Sequence, residues 1–121
     1  MAMDLPVRDE DGMIEGWQAV ARLDALTPGK PREALAGGRL VVLLRQGDAV
    51  TAYQGLCPHQ AARLGFGRIA DGWLHCPHHQ ARFNLADGAC GPGWRLPALQ
   101  RFATRIEDGV ILLPDPLTPL E

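Results

Sequence analysis

Cys57-Pro58-His59 and Cys76-Pro77-His78-His79 decide how this chain is read. Sixteen residues separate His59 from Cys76, and all four histidines (His59, His75, His78 and His79) fall with two of the three cysteines inside residues 57–79. An odd cysteine count does not suit a scaffold of paired disulfides, whereas clustered Cys and His suit a metal. The bland reading is chance clustering with buried core thiols. Two thiolates and two imidazoles suit zinc, copper or an iron–sulfur centre. Cys₂His₂ zinc sites usually pair the cysteines together and the histidines together. Here each run supplies one Cys and one His, which suits a cluster held by Cys at one iron and His at the other.

Short strands surround these runs. Leu40-Val41-Val42-Leu43-Leu44 reads as a strand buried on both faces. Gln46-Gly47-Asp48 turns it into Ala49–Tyr53, a hairpin leading into Cys57. Trp73-Leu74-His75 leads in the same way into Cys76, and Arg82–Leu85 returns. Residues 57–70 read as loop. Upstream, Trp17–Ala21 alternates as a half-buried strand, Leu23–Pro28 is a short turn, and Gly37-Gly38 is a turn signal. Downstream, Gln100–Ile106 and Val110–Leu113 form a final hairpin around Glu107-Asp108-Gly109. No long 3.6-residue period appears. The expectation is a compact all-β domain, sandwich or barrel-like, over residues 17–113, with a polar leader at 1–16. Pro114, Pro116 and Pro119 argue for a loose tail at 114–121.

The net charge of −2 gives no reason to expect nucleic acid as a partner. The apolar run 40–44 is far too short to span a bilayer, and the N-terminal residues lack a signal peptide's basic start and apolar stretch. A cytoplasmic monomer is the expectation.

Cys57-Pro58-His59-Gln60 and Cys76-Pro77-His78-His79-Gln80-Ala81-Arg82-Phe83-Asn84 resemble the two cluster-binding loops of the Rieske family, whose pattern is C-x-H and then C-x-x-H at about this spacing. The resemblance runs from Trp17 to Leu113. It implies a Rieske iron–sulfur fold, with antiparallel sheets and two cluster-binding loops at one tip. It also implies one [2Fe–2S] cluster, held by Cys57 and Cys76 at the inner iron and by His59 and His79 at the outer iron. His78 competes with His79, because Cys76-Pro77-His78 copies the first run, but the family spacing selects His79. His75 is not at ligand spacing. Relatives often carry Gly, which permits a special backbone conformation, where this chain has Gln80, a departure that removes no ligand. Imidazole ligands exposed at a tip imply a potential that falls at high pH.

High-potential relatives have a loop disulfide at the positions of Ala62 and His78, and Ser and Tyr hydroxyls at those of Ala81 and Phe83. None of these is present here. Without hydroxyl donors to the sulfurs, a potential near the lower end of the class, about −150 mV, is expected. The resemblance therefore points to a soluble ferredoxin carrying single electrons from a flavin-dependent NAD(P)H reductase to a terminal oxygenase, either a ring-hydroxylating dioxygenase or a diiron monooxygenase. On this reading the chain is not itself an enzyme. The alternatives are a subunit of another redox enzyme such as nitrite reductase, a zinc-stabilised binding module, or a domain that senses redox state. Gly91-Pro92-Gly93 is expected to fold over the cluster as a third loop. Cys90 and Trp94 read first as packing. Arg63, Arg68, Arg82 and Arg95 read first as solvated charge, and more sharply as a basic rim that steers acidic partners.

Overall fold

A computed structural model describes residues 15–58, 62–77, 81–93 and 95–120. Most of the expected leader lies outside these residues. β3 (Arg39–Gln46) is the centre of the architecture. Its successive residues point to opposite faces, as in any strand. Val41 and Leu43 enter one buried cluster, and Val42 and Leu44 enter another. A strand with two apolar faces needs a layer on each side, and both layers are present.

β2 (Arg32–Ala36), β3, β4 (Ala49–Gln54) and β8 (Arg101–Phe102) form a four-stranded antiparallel sheet in that order. One face packs on the sheet β1–β10–β9, made of Trp17–Arg22, Val110–Pro114 and Arg105–Glu107, through Ile111 and Leu113. The other face packs on β5–β6–β7 (Arg68–Ala70, Trp73–His75 and Arg82–Asn84), through Leu74 and Phe83. The run at Cys76 joins β6 to β7 within this third sheet, and the run at Cys57 leads from β4 toward β5. Each large apolar side chain buried at these interfaces contributes about 1.5–3 kcal/mol. Tyr53 crosses into the same region, and its hydroxyl donates to the Leu85 carbonyl at 3.0 Å. Among the described residues no helix is long and apolar enough to cross a membrane.

The hairpins at Asp71-Gly72 and Asp108-Gly109 have positive φ at both central residues, 54° and 81° in the first, 52° and 77° in the second. This two-residue turn matches the strand twist, and Asp-Gly suits it.

Four details depart from the sequence reading. β2 was not expected: Arg-Glu-Ala-Leu-Ala has no β-branched residue, and its pairing to β3 from Arg32↔Leu43 to Ala36↔Arg39 overrides its weak propensity. Residues 57–70 are not all loop, since they end in β5. The run Gln100–Ile106 is divided, with β8 joining β4 and β9 joining β10. The tail is held beyond its prolines, where Phe102 bridges Pro119 and Leu120 N–H donates to the Arg101 carbonyl at 2.6 Å.

Gly67 lies where β5 begins, and a Cβ there would stand 2.0 Å from the His75 carbonyl oxygen. Overpacking against backbone outweighs the roughly 0.4–1 kcal/mol that replacing Gly with Ala can gain through the unfolded state. Gly67→Ala is therefore expected to lower stability by about 1–3 kcal/mol in chemical denaturation.

Candidate functional site

Each cysteine opens a loop built on the same frame. Leu56 bridges Arg63, and between them Cys57 N–H donates to the Ala62 carbonyl at 2.8 Å. His75 pairs with Arg82, and between them Cys76 N–H donates to the Ala81 carbonyl at 2.7 Å. The sequences match the geometry: Cys-Pro-His, two further residues, then Ala-Arg. Cys57 and Cys76 are 2% and 3% exposed and belong, with Ala62 and Ala81, to one buried cluster. The loops thus bring both thiols to a common apolar region. His59, His78, His79, Gln60 and Gln80 lie outside the described residues, as does Trp94. Among the described residues no three Cys, His, Asp or Glu side chains converge as a metal site.

Further contacts hold the loop ends. The Arg63 guanidinium donates to both Glu33 carboxylate oxygens, at 2.8 Å from Nε, and lies 4.6 Å from the centre of the Phe66 ring. Its hydrogen bond holds the Glu33 carboxyl below the usual carboxylate range, against a smaller opposing effect of burial. Arg82 occupies the same place after the second loop and lies 4.7 Å from the Trp73 ring centre. Gly91 presses on it, because a Cβ there would meet Arg82 at 2.8 Å and Trp73 at 3.0 Å. Gly91 N–H donates to the Arg82 carbonyl, and Cys90 bridges Phe83, so the third loop is tied to β7. The four arginines are thus not alike: Arg63 is charge-paired and stacked, Arg82 is stacked, and Arg68 and Arg95 are exposed. Glu33 escaped the sequence reading, for it stands thirty residues from its partner with no motif around it.

Ala81 and Phe83 are buried beside the thiols and offer no hydroxyl. The Tyr53 hydroxyl is already committed to Leu85. His75 lies on β6 between Arg68 and Arg82, and burial, followed by those two cations, pushes its pKa down.

Two matched cysteine loops over one core, on a three-layered all-β scaffold, define a domain that holds a metal cluster. The chain belongs to the Rieske [2Fe–2S] domain family, whose model matches residues 16–103. It is 32% identical over 103 residues to the anthranilate 1,2-dioxygenase ferredoxin subunit of Burkholderia cepacia, covering 84% of this chain and 94% of that protein. It is 32% identical over 104 residues to the nitrite reductase (NADH) small subunit of Salmonella typhimurium, covering 80% and 95%. The ferredoxin of carbazole 1,9a-dioxygenase from Nocardioides aromaticivorans superposes with a TM-score of 0.77 at 29% identity, covering 83% of this chain and 98% of that one. The cofactor is one Rieske-type [2Fe–2S] cluster, and the two buried thiols in matched loops fit it. The chain is a Rieske ferredoxin related to oxygenase ferredoxin components, which carry electrons rather than transform substrate.

Because the Glu33 pKa is depressed on folding, its contribution is present above the unfolded value near 4.5 and is lost as pH falls through the lower folded value. Glu33→Gln should melt earlier than wild type at pH 7, and the two melting curves should converge as the solution is acidified below that range.

Proposed function

We propose that Cys57 and Cys76 ligate one iron and His59 and His79 the other, and that the protein passes single electrons from a flavin-dependent NAD(P)H reductase to a terminal oxygenase acting on an aromatic substrate. The observation that carries this reading is the pair of buried thiols in loops of one frame, Cys57 N–H to Ala62 and Cys76 N–H to Ala81. The near full-length likeness to a dioxygenase ferredoxin subunit supports the oxygenase as partner.

The bound cluster supplies one-electron chemistry, and the protein supplies geometry and electrostatics. The buried thiols exclude water from the cysteine side. Ala81 and Phe83 withhold hydroxyl donors from the sulfurs, and apolar surroundings disfavour the added negative charge of reduction. The potential therefore belongs near the low end of the Rieske range, about −150 mV. Loop closure fixes the backbone at both ends of each loop, and on this reading the imidazole ligands are the route by which the electron leaves.

Reconstitution with reductase and oxygenase, following product formation, tests the reading. A second reading, the small subunit of a nitrite reductase, has equal identity behind it. Restoration of NADH-dependent nitrite reduction to a large subunit, with no support of any oxygenase, would favour it. Cys57→Ser, Cys76→Ser and His79→Ala should abolish the visible and EPR signals of the [2Fe–2S] cluster, while His78→Ala should keep them. A protein that purifies with zinc and no EPR signal on reduction would overturn the assignment. Phe83→Tyr and Ala81→Ser should each raise the midpoint potential by about 40 mV, the one-electron equivalent of one hydrogen bond of roughly 1 kcal/mol. Protein-film voltammetry reads the shift.

A further inference from the structure

The outer face of β5–β6–β7 carries a feature that neither folding nor cluster binding uses. Arg68 on β5 stands opposite His75 on β6, and His75 stands opposite Arg82 on β7. Cross-strand partners share a face, so two arginines flank a histidine in one row across the sheet. The two arginines carry like charge on one face, and both act against protonation of the histidine between them. Asp71 is the nearby acidic group that acts on His75 in the opposite sense. Arg82 is drawn over Trp73, but no carboxylate forms an ion pair with Arg68 or Arg82 among the described residues.

Phe66 stands at the end of this row with 67% of its surface exposed. It is nonetheless held in place. Its N–H donates to the Arg63 carbonyl at 3.1 Å, Gly67 N–H donates to that of Leu64 at 3.0 Å, and the guanidinium over its ring is fixed by Glu33. An aromatic kept rigid and exposed loses little freedom when a partner covers it. Phe66, Gly67, Arg68, His75, Cys76 and Pro77 line an open crevice of about 330 Å³. Cys76 belongs to the site described above, so a partner seated here lies against the base of the second loop.

We propose that this face, with Phe66 as its apolar anchor and Arg68 as its exposed cation, is the docking surface for the electron acceptor, whose matching face is acidic around an apolar contact. The proposal rests on the carrier reading. The row supplies electrostatic steering and Phe66 supplies a small contact that releases quickly, which a shuttle requires. Because Glu33 cancels Arg63, the uncompensated charge is concentrated toward the second loop rather than spread around both.

Stopped-flow mixing of the reduced protein with the oxygenase it serves in the reconstitution tests this. Phe66→Ala is expected to lower the second-order rate constant of transfer about tenfold, as loss of an interface anchor does. Phe66→Trp should retain the wild-type rate. Arg68→Glu should lower the rate and remove its decline with rising salt. Absorption, EPR spectrum and midpoint potential should stay unchanged in all three. Wild-type rates in both Phe66→Ala and Arg68→Glu would overturn the surface alone. Slowing confined to reduction by the flavin reductase would overturn the acceptor as its occupant. A wild type that passes no electron to any oxygenase would overturn the carrier reading and this surface with it.

Discussion

The 2.8 Å bond from Cys57 N–H to the Ala62 carbonyl and the 2.7 Å bond from Cys76 N–H to the Ala81 carbonyl each close a six-residue loop whose first residue is buried and whose last is a buried alanine. A loop crossing an apolar core must satisfy its backbone groups within itself. These bonds do so at the point where each thiol turns inward. Alanine at the closing position is small enough to share the region with a thiol, and Arg at the next position carries the chain back out to solvent. The chemistry of the site depends on this arrangement, because thiols held by longer and looser loops would admit water.

The loops in turn need a platform, which β3 and β4 provide. Val42, Leu44 and Tyr53 face the loop-bearing sheet, while Val41, Leu43 and Ala52 face the other layer. A rigid site on a strand-built base is more closely defined than one on free loops. The Tyr53 hydroxyl bonded to Leu85, and Gly88 seated so that a Cβ would meet the Tyr53 ring at 2.9 Å, bind the end of β7 to the same platform.

What could be read from the sequence follows from how local each signal is. The Cys and His spacing, the doubly apolar β3 and the turns at Gln46-Gly47-Asp48 and Glu107-Asp108-Gly109 are written in neighbouring residues, and they announced the class, the central strand and two hairpins. β2 was illegible because Arg32–Ala36 has the composition of a helix and becomes a strand through its neighbour. The separation of β8 from β9 was illegible because one continuous run, Gln100–Ile106, serves two sheets, and nothing in its composition marks the crossing. Glu33 was hidden for a related reason: its value comes from Arg63, which the fold alone brings near. The matched frame of the loops was partly visible in the repeated Cys-Pro-His and Ala-Arg residues, although hydrogen bonding is what makes the repeat structural.

The frame also explains why the two loop-end arginines differ. Both follow the closing alanine, and both lie over an aromatic ring. The loop after Cys57 lies beside β2, which supplies Glu33 and cancels the charge. The loop after Cys76 lies beside β6 and the third loop, which supply Trp73 and the Gly91 backbone but, among the described residues, no carboxylate ion pair to Arg82. One scaffold repeated twice thus meets different neighbours, and the result is an uneven charge across the end of the molecule. That unevenness suits a carrier, which must present one preferred orientation to its partner while holding it weakly enough to let go.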